Sequence, residues 1–146
     1  MKIRQLQRDP GPADVAALMP LCEQLGHPVS PSELAERLAD VLADARQALF
    51  VCEVDAGALV GWIHAQPRPS LIHPPVVEIT ALVVDRRSHR RGFGRALLER
   101  AERWAREQGY RTVMLRSAIG REDAHRFYAR LGYEMTSTSL KFTKQP

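Results

Sequence analysis

Three spacings of apolar residues divide the chain: loose alternation, helical periodicity and one nearly unbroken apolar run. Residues 2–6 alternate loosely and predict a short first strand, which Asp9-Pro10-Gly11-Pro12 breaks. The stretch 15–25, VAALMPLCEQL, repeats apolar side chains at helical spacing, with Pro20 expected to kink or split the helix and Gly26 to end it. Ser30-Pro31-Ser32-Glu33 has the form of a capping box. Ser30 caps, Pro31 takes the first helical position and Glu33 reaches back, so a second helix is expected to run to about Ala43. Two stretches, ALFVCEV and ALVGWIHAQ, flank Asp55-Ala56-Gly57 and predict an antiparallel hairpin.

Residues 76–84, VVEITALVV, are apolar at consecutive rather than alternate positions, the signature of a strand covered on both faces. Glu78 and Thr80 interrupt the run, both on one face. The basic turn DRRSHRR then leads into Gly92-Phe93-Gly94, which opens a helix reaching about Gln108. Its Leu97, Leu98, Ala101, Trp104 and Ala105 form one stripe, and Glu99 with Arg103 and Glu102 with Arg106 are spaced to pair on the other side. Gly109 caps that helix and residues 112–117 form a strand, so strand, helix and strand make a right-handed parallel crossover. Glu122 and Asp123 suit the first turn of a further helix with Ala124, Phe127, Tyr128 and Leu131 on one stripe, ended by Gly132. Residues 133–142 are expected to add one or two closing antiparallel strands before a frayed tail. The sum is an α/β chain forming a single domain over residues 1–146, with a mixed, mainly antiparallel sheet flanked by helices.

Composition narrows the setting. With 45% hydrophobic residues the chain can bury one core, and no window approaches the roughly 18 apolar residues of a membrane span. The N-terminal MKIRQLQRD lacks the apolar segment of a signal peptide, so a cytoplasmic location is expected, with no membrane partner. Cys22 and Cys52, the only two cysteines, have no metal or disulfide spacing and read as reduced core residues. No metal site is expected. The net charge of +4 is unevenly spread: Arg86, Arg87, Arg90, Arg91 and Arg95 fall within ten residues. Without interleaved aromatics or a nucleic-acid motif, that cluster favours a small anion over nucleic acid.

An apolar strand feeding an arginine-rich turn and a Gly-x-Gly helix start builds an anion pocket from backbone N–H groups. It is not a P-loop, because Arg95-Ala96 follows Gly94 where Lys-Ser/Thr is required. A dinucleotide fingerprint needs a third glycine where Leu97 stands. Alone, the Gly-x-Gly is also compatible with plain turn geometry.

RRGFGRALL at residues 90–98 and AHRFYARLGYE at residues 124–134, at this separation, resemble the two signature motifs of the GNAT superfamily of N-acetyltransferases. The resemblance covers about residues 49–142. It implies that the turn residues Arg90, Arg91, Gly92, Phe93, Gly94, Arg95 and Ala96 hold the pyrophosphate of acetyl-CoA as cosubstrate. It further implies a splayed central parallel strand pair, with the N–H groups of Leu82, Val83 and Val84 meeting the pantetheine arm and a β-bulge within 81–84 freeing them. Tyr128 matches the residue assigned in the superfamily as general acid beside the coenzyme sulfur. The chain departs from the motifs at His89, where Gln or Arg is preferred, at Arg90, where a glycine often follows, and at Arg121, where Asn is frequent.

Acetyl transfer also needs a deprotonated amine. Glu78, the only carboxylate within the apolar strand, is the candidate base, directly or through water, unless it sits solvated at the sheet rim. His64 and His73 are further bases or ordinary surface residues. The resemblance further implies that Trp62 and the loop of residues 25–29 wall the acceptor site. The implied activity is transfer from acetyl-CoA to a primary amine of a small molecule by direct attack in a ternary complex. A protein acetyltransferase and a non-catalytic CoA-binding regulator are the alternatives, and homodimerisation stays open.

Overall fold

A five-stranded sheet in chain order organises residues Met1–Arg116 of the computed structural model, which describes all of residues 1–146. The strands are β1 (Lys2–Gln5), β2 (Ala48–Glu53), β3 (Leu59–Arg68), β4 (Val76–Val84) and β5 (Val113–Leu115). Pairing is antiparallel from β1 through β4 and parallel between β4 and β5, the mixed, mainly antiparallel sheet the patterns predict. Helices α1 (Pro12–Gln24) and α2 (Pro31–Ala43) precede β2, and α3 (Phe93–Glu107) crosses from β4 to β5.

Local chemistry sets the element ends. The Ser30 hydroxyl accepts from the Glu33 N–H at 3.1 Å, while the Glu33 carboxylate turns to Arg37 at 3.7 Å instead of reaching back. Helix α1 starts at Pro12, ahead of its hydrophobic repeat, because proline suits the first helical position. It runs through Pro20 without splitting, and Gly26 at φ +78° ends it. The hairpin turn holds Ala56 and Gly57 at φ +61° and +77°.

The two faces of β2 supply two packed layers. Leu49 and Val51 join Leu6, Leu18 and Leu38 beneath α1 and α2. On the other face α3 packs across β2, β3 and β4 with Phe93, Leu97, Leu98, Ala101, Trp104 and Ala105 buried. Arg100 of α3 lays its guanidinium 4.3 Å from the Phe50 ring centre, joining helix to sheet by cation–π attraction. On the exposed side of α3, Glu99 pairs back to Arg95 at 2.7 Å rather than forward to Arg103.

Residues Ser117–Pro146 form a second compact unit. Its helix α4 (Glu122–Arg130) is followed by Gly132 at φ +90°. Ala124, Phe127, Tyr128 and Leu131 are its least exposed positions, the stripe expected from spacing. The closing strands expected over 133–142 do not form: the segment joins no ladder, and Met135, Leu140 and Phe142 are exposed. Its apolar residues are separated by a Thr-Ser-Thr-Ser run, and a strand exists only through a partner. The parallel pair therefore lies at the edge of the sheet, with β5 outermost.

At Gly61, β3 lies close against both β4 and α3. A Cβ there would lie 2.7 Å from the Val83 carbonyl oxygen and 3.1 Å from Leu97 Cδ1. Gly61→Ala is expected to lower stability by about 1–3 kcal/mol in urea denaturation, and an unchanged midpoint would contradict this packing.

Candidate active site

The parallel ladder is short, and the second half of β4 is free as a result. Only Val77, Glu78 and Ile79 pair with β5. Beyond them the register with β3 shifts: His64 faces Ala81 while Ala65 faces Ile79, so Thr80 is the extra residue of a β-bulge. The bulge was expected within 81–84 and lies just before it, where Thr80 Oγ1 is held 2.7 Å from His64 Nδ1.

Amide directions follow from the ladder. Successive residues of an antiparallel strand direct their N–H and C=O groups to opposite neighbours. Asp85 N–H donates to Val60 O at 2.8 Å and the Val83 carbonyl lies against Gly61, so Val83 belongs to the β3 ladder. Leu82 and Val84 then direct their amides to the other side, where no strand of the sheet pairs with them. The Val84 carbonyl accepts from His89 Nε2 at 2.9 Å, so His89, the departure from the family motif, ties the turn to the strand end.

The turn itself is pinned from both sides. Asp85 accepts from the Arg87 N–H at 3.0 Å, and these contacts with Arg87 hold its carboxyl below the usual range. Gln24 at the end of α1 accepts from the Arg86 N–H at 3.0 Å. Arg90 at φ +62° and Gly92 at φ +84° curl the chain into α3. Ala96 is the first residue of α3 to bond back, to Gly92 O at 3.0 Å, so the N–H groups of Phe93, Gly94 and Arg95 lack intrahelical acceptors. Buried Phe93 anchors this end, with the Arg91 guanidinium 5.3 Å from its ring centre. The free N–H groups, the positive end of the helix dipole and the exposed arginines together suit a di- or polyphosphate.

Glu78 is buried at 8% exposure rather than solvated at a rim. Its Oε1 accepts from Arg116 at 2.9 Å, and its Oε2 lies 3.1 Å from Arg68 Nε as an ion pair without hydrogen-bond alignment. His64, on the same sheet face by register, is half-buried, and burial lowers its imidazole pKa. Beside it a cavity of about 110 Å³ lies between α1, α2 and the sheet, lined by Leu18, Cys22, Arg37 and Trp62 among others. His73 sits exposed in the loop before β4. Burial also raises the pKa of both thiols, Cys22 and Cys52, which favours their protonated form.

Within the second unit, Tyr128 packs edge-on against Phe127 and Tyr133, at 5.2 and 5.9 Å between ring centres. Burial raises its phenol pKa, an effect that nearby Arg121 partly offsets. Sequence patterns did not reveal Arg68, Arg116, Gln24 or Gln47 as site neighbours. Each meets the site through tertiary pairing that no local spacing encodes.

The sequence model of the acetyltransferase (GNAT) family matches residues 13–133. An aminoglycoside N(6')-acetyltransferase type 1 of Stenotrophomonas maltophilia is 30% identical over 139 residues, covering 92% of this chain and 90% of that protein. An uncharacterized N-acetyltransferase of Bacillus subtilis is 38% identical over 74 residues, 50% of this chain. That alignment spans about half, 52%, of the relative's own length. Among solved structures, an aminoglycoside N-acetyltransferase in complex with CoA superposes with a TM-score of 0.85 at 22% identity, covering 99% of this chain and 95% of that one.

Proposed function

This chain belongs to the acetyltransferase (GNAT) family, and on that premise we propose that it is an acetyl-CoA-dependent N-acetyltransferase acting on a primary amine of a small molecule. The observation that carries the cosubstrate reading is the pairing of a free helix N-terminus with unpaired β4 amides immediately before it. The match over residues 13–133 runs through both compact units, which supports one catalytic domain across the chain. The small-molecule acceptor rests on the aminoglycoside acetyltransferase that matches over nearly the whole chain.

The chain's residues fit the group. The N–H groups of Phe93, Gly94 and Arg95 bind the pyrophosphate, and Gly94 lets the phosphate oxygens approach the backbone closely. Arg90 and Arg91 add positive charge beside it. Leu82 and Val84 offer their free amides to the pantetheine arm and to the negative charge that develops on the thioester oxygen during attack. Val83 fixes the strand on which those two amides sit. When bound, acetyl-CoA supplies an activated acetyl group and a thiolate leaving group. The amine attacks directly in a ternary complex. Tyr128, which the motif match marks as the general acid and whose phenol burial raises further above its ordinary pKa of about 10, donates the proton that the thiolate requires. Glu78 is the carboxylate candidate for the base, flanked by the guanidinium groups of Arg68 and Arg116.

Acetyl-CoA is expected to raise the melting temperature in a concentration-dependent manner, and no shift at millimolar ligand would remove the reading. Thiol release with a panel of primary amines led by aminoglycosides then separates an enzyme from a CoA-binding regulator. Charge reversal at Arg90 or Arg91 should weaken acetyl-CoA binding about tenfold, with the loss shrinking at high salt. Tyr128→Phe should lower kcat about 10²-fold while the acetyl-CoA-induced melting shift is retained, and an unchanged kcat would reject the acid. Glu78→Gln should destabilise the fold by about 1 kcal/mol with kcat nearly unchanged. A loss above about 10²-fold at full stability would make Glu78 the base.

A further inference from the structure

The bulge that frees β4 also aligns a hydrogen-bonded line behind it. Asp44, just after α2, is held by Arg46, which keeps its carboxyl at about 2, so near neutral pH it only accepts. Gln47 Nε2 donates to Asp44 Oδ2 at 3.3 Å, which fixes the orientation of the amide. Gln47 Oε1, 2.7 Å from His64 Nε2, can only accept, so His64 carries its proton on Nε2. His64 Nδ1 is therefore bare; Thr80 Oγ1 lies 2.7 Å from it and 3.3 Å from the His64 carbonyl oxygen, and the shorter contact, in which only the hydroxyl carries a proton, is an O–H donated by the threonine. Thr80 itself is exposed, at the start of the unpaired half of β4.

Resting on the acetyltransferase reading above, we propose that Thr80 meets the acceptor amine and that His64, behind it, receives the proton the amine must lose before attack. The acceptor ammonium gives one proton to Thr80 Oγ1 as the Thr80 hydroxyl proton passes to His64 Nδ1. One N–H bond breaks and one forms. The amine is left with a free lone pair, Thr80 is regenerated and His64 becomes an imidazolium that still donates from Nε2 to Gln47.

Other groups facing His64 do not compete for this role. Arg37 of α2, at the cavity wall, is directed to Glu33 at 3.7 Å. Cys22 of α1 remains a thiol because its pKa is raised. Glu78, on the same face of β4, is occupied by Arg68 and Arg116. The neutral imidazole required is also the form that burial favours. Its pKa is below the ordinary value of about 6.5, so the base is ready at neutral pH and is lost as pH falls through the lowered pKa.

The test is the pH dependence of kcat/KM for thiol release with the best acceptor of the amine panel. Wild type should show an acid limb below about pH 6.5. Thr80→Val and His64→Gln should each lower kcat about 10²-fold and abolish that limb, the double variant being no worse than either single one. Thr80→Ser should restore the rate to within about tenfold, and all variants should retain the acetyl-CoA-induced melting shift. A kcat within about threefold of wild type in both single variants, or a slowed enzyme with an unchanged pH profile, would overturn the proposal. Nitrogen-15 shifts of His64 supply a readout free of turnover: a proton on Nε2 and none on Nδ1 supports the line, and the opposite tautomer overturns it. Wild type that binds acetyl-CoA but turns over no amine would remove the acetyltransferase reading and the relay's role with it. Turnover that survives His64→Gln at full rate and normal pH dependence removes the relay alone.

Discussion

The site depends on a parallel ladder that stops early. Three residue pairs join β4 to β5, and the bulge at Thr80 follows at once. A backbone amide on a strand normally spends its hydrogen bond on a neighbour, so a strand offers binding groups only where a neighbour is missing. In β4 the first half is buried and fixes the position of the second, whose Leu82 and Val84 amides face away from β3. The same bulge presents the Thr80 hydroxyl beside His64.

The turn after β4 extends the same economy of backbone groups. Arg90 and Gly92 take left-handed conformations, Phe93 is buried, and α3 begins with N–H groups that no helix carbonyl can reach. Contacts from α1 through Gln24 and from His89 to the end of β4 hold the turn before any anion arrives. Such preorganisation reduces the ordering cost of binding. Charge follows the same division: exposed arginines lie around the helix start, whereas Glu78 is buried and matched by Arg68 and Arg116.

Elements with strong local signals were legible in the chain itself. β4 spans the apolar run 76–84, and α2 runs from the proline after Ser30 to Ala43, because a cap and a hydrophobic repeat state their own boundaries. The motif residues of the turn lead into α3 as the resemblance implies. Features that arise from pairing were not legible. The bulge lies at Thr80 rather than in 81–84 because its position is set by register against β3, and the tail forms no strand because it finds no ladder. Glu78 reads as a free carboxylate in an apolar strand; strand pairing brings Arg68 of β3 to it, and the chain beyond β5 brings Arg116. His64 was readable only as a lone histidine, since the partners that assign its tautomer come from the segment after α2 and from a different strand.

Amide hydrogen exchange, compared with and without acetyl-CoA, tests most directly whether the end of β4 and the start of α3 form one binding surface. The account predicts protection concentrated at Leu82, Val84, Phe93, Gly94 and Arg95, with Val83 slow to exchange in both states because its amide already belongs to the β3 ladder. Protection confined to other segments, or no change at these amides with acetyl-CoA bound, would contradict it.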